Sequence, residues 1–379
     1  MKENTAAWID APYADLTVRE APMPIPAPGQ LLVEVRALAV NPLDAIIQSN
    51  GAVMYGWLRY PVILGEDVAG VVVGVGPGID ASSVGDRVVA YAIGLEKGRD
   101  AVGESGFQAY VAVDASLVAR LPDDLLFEDA AVLPLAVSTA AAGLFEADQL
   151  ALDYSALGAA APREDVVVVW GGATAVGGNA IQLARAAGYR VITTASPRNH
   201  EQMTRLGGEA VFAYREPNAV ERIIAAIGAP PVAGILAIAV GSAEPCRKIA
   251  RATGATKIAM ASPPVSFYDQ PRRRGLSLSR IRLFLRLGTR TALMQLRSRT
   301  RGIRASFIWG SAVATSPVGP AIWGDYLPRA LASGAHVPYP QALLAGSGLA
   351  AIQGAIDTLR RGVSAQKLVI ALDAASTDS

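Results

Sequence analysis

A chain of 379 residues is too long for one compact core, so two domains are expected. With 51% hydrophobic and 18% charged residues and a mean hydropathy of +0.32, it reads as a well-buried globular protein, which excludes disorder. The net charge of +1 gives no global pull toward nucleic acid, and the one cysteine, Cys246, excludes an intramolecular disulfide and a thiolate zinc site. Only His200 and His336 could supply imidazole, and they lie far apart in sequence, so no catalytic zinc is expected. Apolar runs stay shorter than a membrane span: Ala130–Phe145 comes closest and is broken by Pro134. The first residues lack the apolar core of a signal peptide, and a cytoplasmic protein is expected.

In chain order, Ala6–Ile9 and Leu16–Glu20 alternate as two strands joined by a turn. Ala21–Gly29 is too rich in proline for helix or central strand and reads as a rigid connector. Strands follow at Gln30–Leu38, Val71–Gly76, Val84–Ala90 and Gly106–Val113, with glycine turns between them. This spacing argues for a mainly β, barrel-like domain. Phe127–Phe145 has the small-residue pattern of a helix leading into a second domain. From Glu164 to about Trp309 strands and helices alternate: strands at Ala210–Phe212, Ala233–Ala239 and Lys257–Met260, helices centred near Met203, Ile223 and Ile249. Such alternation implies a parallel sheet covered on both faces. A helix at Leu349–Arg360 and a last strand at Lys367–Leu372 return to the first domain.

The second domain is organised around Val166–Gly188. A β-branched run, Val166–Trp170, breaks at a double glycine and resumes with helical spacing, which reads as strand, tight turn and helix. A pyrophosphate can sit on the N-terminus of such a helix when the turn's backbone comes close. The middle glycine of the usual G-x-G-x-x-G is Ala175 here, so the motif alone is also compatible with a plain turn. The next strand, Arg190–Thr194, ends in Ala195-Ser196-Pro197-Arg198-Asn199, without the Asp or Glu that would bind a ribose 2′-hydroxyl. A hydroxyl beside a guanidinium suits a 2′-phosphate, hence NADP(H); an N-cap by Ser196 or Asn199 with a solvated arginine is the alternative.

The chain resembles zinc-free members of the medium-chain dehydrogenase/reductase superfamily, in particular the quinone-oxidoreductase-like branch with the trans-acting enoyl reductases of polyketide synthases. The likeness rests on Val40–Asp44, Pro61–Gly70, Val84–Val88, Gly106–Val111, Ala131–Ala140, Trp170–Gly188, Thr194–Asn199, Ala210–Tyr214 and Val363–Val369, nearly end to end. It implies an α/β fold: a Rossmann doubly wound parallel sheet over 131–310, and a GroES-like β-barrel domain from 1–130 and 311–379, with the active site in the cleft between. It also implies NADPH-dependent reduction of an activated carbon–carbon double bond, in secondary metabolism. A quinone or alkenal reductase, a non-redox cyclase or isomerase, and a non-catalytic NADP-binding partner on the same fold remain alternatives.

Carried over residue by residue, the resemblance places Gly172, Ala173, Thr174, Ala175, Val176 and Gly177 on the pyrophosphate, and Ser196, Arg198 and Tyr214 around the 2′-phosphate. Thr139 would reach the nicotinamide and substrate, and Asn41 and Asp44 would line the cleft; helix packing for Thr139 and a turn around Pro42 are the structural alternatives. Two residues after Asp44, where relatives carry lysine or tyrosine, stands Ile46, which can neither donate a proton nor polarise a carbonyl. Tyr55, Tyr91 and Lys97 are the nearest replacement donors in sequence. A second departure is the segment Arg272–Arg304, an insertion with eleven arginines and no acidic residue. It would dock an acyl carrier protein or the phosphates of CoA, lie on a membrane surface, or simply be a solvated helix face. The substrate would be a small-molecule or carrier-bound enoyl compound; no nucleic-acid partner is expected, and monomer and homodimer are both open.

Overall fold

The computed structural model describes residues 3–50, 55–80, 83–262, 282, 285–289, 292, 296 and 302–373, so most of the Arg272–Arg304 segment lies outside the described residues. The described chain divides into two compact units, residues 3–135 with 319–373 and residues 136–262 with 302–318.

In the first unit, β1 (Asn4–Ile9) and β2 (Leu16–Ala21) form an antiparallel pair, as their alternation implies. β3 (Gln30–Ala39) follows the proline-rich connector, and α1 (Pro42–Asn50) follows β3. The helix begins at Pro42 because proline at a first helical position loses no intrahelical hydrogen bond. The short β4 (Val62–Ile63) pairs with β1, and β5 (Asp67–Val75) lies against β3. Then come β6 (Arg87–Tyr91), β7 (Tyr110–Asp114) and β8 (Val118–Arg120). A seven-stranded sheet runs Gln341–Ser347, Gln366–Ala371, β3, β5, β6, β8, with β7 also on β3. Register shifts in the β3–β5 ladder, at Leu32/Val33 and Val35/Ala37, bend this sheet toward a barrel. The C-terminal strand runs antiparallel to the end of β3, Val369 opposite Ala39, and so ties the chain's end to its beginning. Ile9, Val33, Leu64, Val68, Phe107, Ile352, Ile356 and Leu368 form the core.

Two expectations need correction here. The helix expected over Phe127–Phe145 is two helices, α2 (Phe127–Ala130) and α3 (Pro134–Phe145), because Pro134 lacks the N–H that would continue the ladder and starts a new helix instead. The strands expected from Val84 and Gly106 begin at Arg87 and Tyr110, since Val84–Gly85 form a turn and the chain bends over 106–109, meeting β1 there through an isolated bridge of Gln108 to Ala6.

The second unit is a six-stranded sheet of β9 (Val166–Trp170), β10 (Arg190–Ala195), β11 (Ala210–Ala213), β12 (Val232–Ala237), β13 (Lys257–Met260) and β14 (Arg304–Phe307). All are parallel, in the order β11-β10-β9-β12-β13-β14. This is the doubly wound Rossmann order, whose direction of winding reverses between β9 and β12. β9 is buried along its whole length, the reason its sequence is a continuous apolar run and not an alternating one. The crossovers carry α4 (Ala175–Ala186), α5 (His200–Arg205), α6 (Ala219–Ile227) and α7 (Ala243–Thr253). Cys246 of α7 packs in the core with Ile223, Ile235, Ile249 and Ile258.

Candidate functional site

In the second unit, β9 delivers the chain to the turn Gly171–Thr174 at the reversal of winding. Thr194, at the end of β10, clamps this turn: its Oγ1 accepts from Gly171 N at 2.9 Å and its carbonyl from Gly172 N at 2.9 Å. Thr174 then caps α4, its Oγ1 accepting from Gly177 N at 3.0 Å and donating to the Gly171 carbonyl at 2.8 Å. The glycine at 177 is dictated by contact: a Cβ there would stand 2.2 Å from the Gly171 carbonyl oxygen and 2.8 Å from Gly172 Cα, both backbone atoms. Ala173, Thr174, Ala175 and Val176 remain partly exposed at the helix end, where a first turn's N–H groups lack intrahelical acceptors and the dipole favours an anion. Ala175 is already helical, where a Cβ is no burden, so the missing motif glycine removes nothing from the turn.

Ala195 of β10 stands in register with Ala213 of β11. The residues that follow, Ser196 and Tyr214, therefore leave neighbouring strands at the same end. Arg198 lies exposed one residue into the short turn Pro197–Asn199, and Tyr214 is exposed with Arg215 over its ring. Ser196, Arg198 and Tyr214 thus all follow the strand ends beside the α4 turn, and no acidic residue occurs between Ala195 and Asn199. A nicotinamide dinucleotide fits this arrangement. Thr139, in the middle of α3, is half-buried, and the backbone of Gly310 passes so close that a Cβ there would stand 2.6 Å from Thr139 Oγ1.

The first unit holds a buried polar cluster. Asp44 accepts from Asn41 N at 2.7 Å and from Gly65 N at 3.2 Å, which ties the start of α1 to the chain entering β5. Asn41 Nδ2 donates to Asp67 Oδ2 at 2.8 Å. Asp67 Oδ1 accepts from Leu135 N at 2.6 Å, and Lys367 Nζ pairs with Asp67 Oδ2 and donates to the Val132 carbonyl at 3.1 Å. Asn41 and Asp44, expected in the site, thus sit together, and Asp67 and Lys367 join them from β5 and the C-terminal strand. Glu66 lies between, 1% exposed, and neither of its carboxyl oxygens has a hydrogen-bond partner.

Burial raises the acids of this cluster. The Asp44 carboxyl is pushed up to about 7 by burial, reinforced by the charge of Asp67 and opposed by its two backbone donors and by Lys367. Glu66 is driven well above the usual carboxylate range, first by burial and then by Asp44, Asp67 and Glu96. A carboxyl raised in the folded state adds stability that is complete below its unfolded value of about 4 and is lost as pH rises through its folded value. Asp44→Asn is therefore expected to flatten the decline in unfolding free energy between about pH 4 and 7. Urea titrations across that window check this, and an unchanged slope would place Asp44 outside the titrating cluster.

Of the replacement donors considered for Ile46, Tyr55 is buried and packs tilted against Trp57, with ring centroids 5.1 Å apart. Tyr91, at the end of β6, is also buried, and burial pushes both hydroxyls upward. Lys97 is exposed in a turn. His336 is buried edge-on to Tyr326 and held down to about 3 by burial, while His200 opens α5. Among the described residues no group of three or more His, Cys, Asp and Glu is arranged to hold a metal. Sequence reasoning missed Glu66 and Lys367: their only signal was the adjacency of two acids in Gly65-Glu66-Asp67, and the partner of Asp67 lies 300 residues away.

Residues 27–123 match the alcohol dehydrogenase GroES-like domain. Over 98% of its length and all of the relative's, the chain is 42% identical to the dehydrogenase pigH of Monascus ruber. It is 34% identical to the trans-enoyl reductase himH of Aspergillus japonicus, covering 97% of each chain. Among solved structures, the mycobacterial protein Rv1454c complexed with NADPH superposes with a TM-score of 0.66 at 22% identity, over 97% of this chain and 99% of that one.

Proposed function

Because this chain belongs to the medium-chain dehydrogenase/reductase superfamily, we propose that it is an NADPH-dependent oxidoreductase that reduces a carbon–carbon double bond conjugated to a carbonyl, in secondary metabolism. The observation that carries the cofactor choice is the side-by-side exit of Ser196 and Tyr214 from β10 and β11, with Arg198 between the strand end and α5. The trans-enoyl reductase among the relatives supports the choice of substrate class.

When bound, the dinucleotide supplies a hydride, and the protein supplies orientation and exclusion of water. The turn from Gly172 to Gly177 lines the pyrophosphate and offers it the Ala175 and Val176 N–H groups and the α4 dipole, the Gly172 and Gly177 N–H groups being taken by Thr194 and Thr174. Ser196, Arg198 and Tyr214 hold the 2′-phosphate by charge-assisted hydrogen bonds. Thr139 Oγ1 orients the nicotinamide or the substrate carbonyl. Reduction is independent of zinc in this reading, since Cys246 is buried in the core, His336 is packed on Tyr326 and His200 belongs to the β10 end.

Two measurements test this. Arg198→Ala removes a charge-assisted contact worth about 1.5–3 kcal/mol, so NADPH affinity is expected to fall by roughly ten- to a hundredfold while NADH affinity stays unchanged. Fluorescence titration with both cofactors reads this directly, and an equal loss for both would remove the 2′-phosphate assignment. Incubation with NADPH and crotonyl-CoA, cinnamaldehyde or benzoquinone should consume NADPH absorbance with at least one of them. NADPH binding without turnover on any would overturn the reductase reading in favour of a non-redox or scaffold role, and turnover of benzoquinone alone would make the protein a quinone reductase.

A further inference from the structure

Within the second unit, every residue of α3 from Ala136 to Phe145 is buried except Thr139, which is half-buried, and among the described residues its hydroxyl takes no hydrogen bond. Other helical threonines turn the hydroxyl back onto the carbonyl four residues earlier: Thr204 onto His200, Thr253 onto Ile249 and Thr358 onto Gly354. Thr139 leaves that bond unmade. Gly310, which opens the short helical turn Gly310–Thr315 after β14, lies against this hydroxyl. Its φ is outside the left-handed region, so its backbone would suit an alanine. What excludes one is contact: a Cβ would stand 2.6 Å from Thr139 Oγ1, whereas the next nearest atoms, Thr139 Cα and Cβ, lie at 3.5 Å, an ordinary van der Waals distance. Thr139 is β-branched and held to staggered positions, so a side chain at 310 either turns the hydroxyl away or pushes the two segments apart.

Both residues lie at the end of the sheet that carries the nucleotide turn. A Cβ on Gly143 would meet Ile308 Cδ1 at 2.6 Å and Leu236 Cδ1 at 2.8 Å, so α3 packs on β12 and on the exit of β14. Where the parallel strands end, Ile308 N donates to the Met260 carbonyl, Ala261 N to that of Ala237 and Ile238 N to that of Trp170, a row that runs from β14 to β9 just before Gly171. Gly310 and Thr139 are therefore on the β12–β14 side of the reversal of winding, and Ser196 and Tyr214 on the β10–β11 side. A dinucleotide bound at such a reversal places one nucleotide on each side of its pyrophosphate. We propose that Gly310 is a positioning residue for the nicotinamide half: its bare Cα leaves the Thr139 hydroxyl in place to hydrogen-bond the nicotinamide nucleotide. This inference rests on the dinucleotide reading and adds to it a residue that acts through Thr139.

The test compares the full-length wild type with Gly310→Ala, Thr139→Val, Thr139→Ala and the double variant Thr139→Ala with Gly310→Ala. Each is titrated with NADPH and with 2′,5′-ADP, which carries the phosphorylated adenosine without the nicotinamide. Gly310→Ala is expected to weaken NADPH by roughly three- to tenfold, the loss of one hydrogen bond, and to leave 2′,5′-ADP unchanged. With crotonyl-CoA or cinnamaldehyde as substrate, kcat is expected to fall by about tenfold. Thr139→Val, close in shape but without the hydroxyl, should show the same losses. Adding Gly310→Ala to Thr139→Ala should cost nothing further, since no Oγ1 is left to meet the new Cβ. Additive losses in the double variant overturn the inference, because Gly310 then acts apart from Thr139. Wild-type NADPH affinity in Thr139→Val overturns it too, even if Gly310→Ala does not fold. Equal weakening of NADPH and 2′,5′-ADP by Gly310→Ala means a displaced strand end and not a placed hydroxyl, and also overturns it. A wild type that binds neither ligand ends the dinucleotide reading and this inference with it; one that binds NADPH without turnover ends only the reductase reading, and the titrations still decide.

Discussion

Replacing Lys367 with methionine is expected to destabilise the protein by about 3–5 kcal/mol, the penalty for leaving one charge of a buried pair alone. Asp67 is fully buried and Lys367 only 5% exposed, so water cannot take over the missing partner. The ammonium also donates to the Val132 carbonyl between α2 and α3, and Asp67 holds the first turn of α3 through Leu135 N. One side chain from the C-terminal strand thus anchors the start of α3 and the entry to β5. Urea unfolding should show the midpoint falling, with a second comparison isolating the cause. The double variant Lys367→Met with Asp67→Asn removes both charges and is expected to regain part of the loss, giving a coupling energy of about 1–3 kcal/mol in a double-mutant cycle. A loss below about 1 kcal/mol for Lys367→Met, as for an exposed pair, would show that the cluster does not depend on this ion pair.

Gly177→Val is expected to abolish measurable NADPH binding, and Gly177→Ala to weaken it by about tenfold or more. A single methyl at this position would meet the Gly171 carbonyl oxygen at 2.2 Å and Gly172 Cα at 2.8 Å. Neither atom can rotate away, so the N-terminus of α4 must lift from the turn. Overpacking of this kind costs about 1–3 kcal/mol in stability, and it moves the N–H groups that hold the pyrophosphate, so affinity falls along with the midpoint of unfolding. Ala175→Gly is the control: the position is helical and its Cβ meets no such obstacle, so affinity should stay within about threefold. Retained affinity in Gly177→Ala would place the pyrophosphate elsewhere.

The two sites differ in how far they could be read from residues. The nucleotide turn is largely local: β9, Gly171, Gly172, Thr174 and Gly177 lie within a dozen positions, with Thr174 and Gly177 constrained from within the turn and Gly171 and Gly172 by Thr194 of the next strand. Ser196 and Arg198 follow from the next strand, and only the β10–β11 register was needed to bring Tyr214 beside them. Element boundaries failed where a single residue competes with a run, as at Pro134, or where a turn or bend with glycine precedes a strand, as before Arg87 and Tyr110. The strands Arg304–Phe307 and Gln341–Ser347 were not legible, because edge strands need no clean apolar alternation and take their identity from the strand beside them.

By itself the sequence determined the strand–turn–helix of β9 and α4, the absence of an acid after β10, the β-rich first unit and the return of the last strand to it. These depend on periodicity and on backbone requirements that act over a few residues. Only the tertiary structure decided the state of the acids. Asp44, Glu66 and Asp67 read alike as carboxyls, yet Asp67 meets Lys367 across 300 positions, Asp44 meets two backbone donors, and Glu66 meets neither. Burial and partnership set the protonation of a carboxyl, and both are properties of the folded neighbourhood.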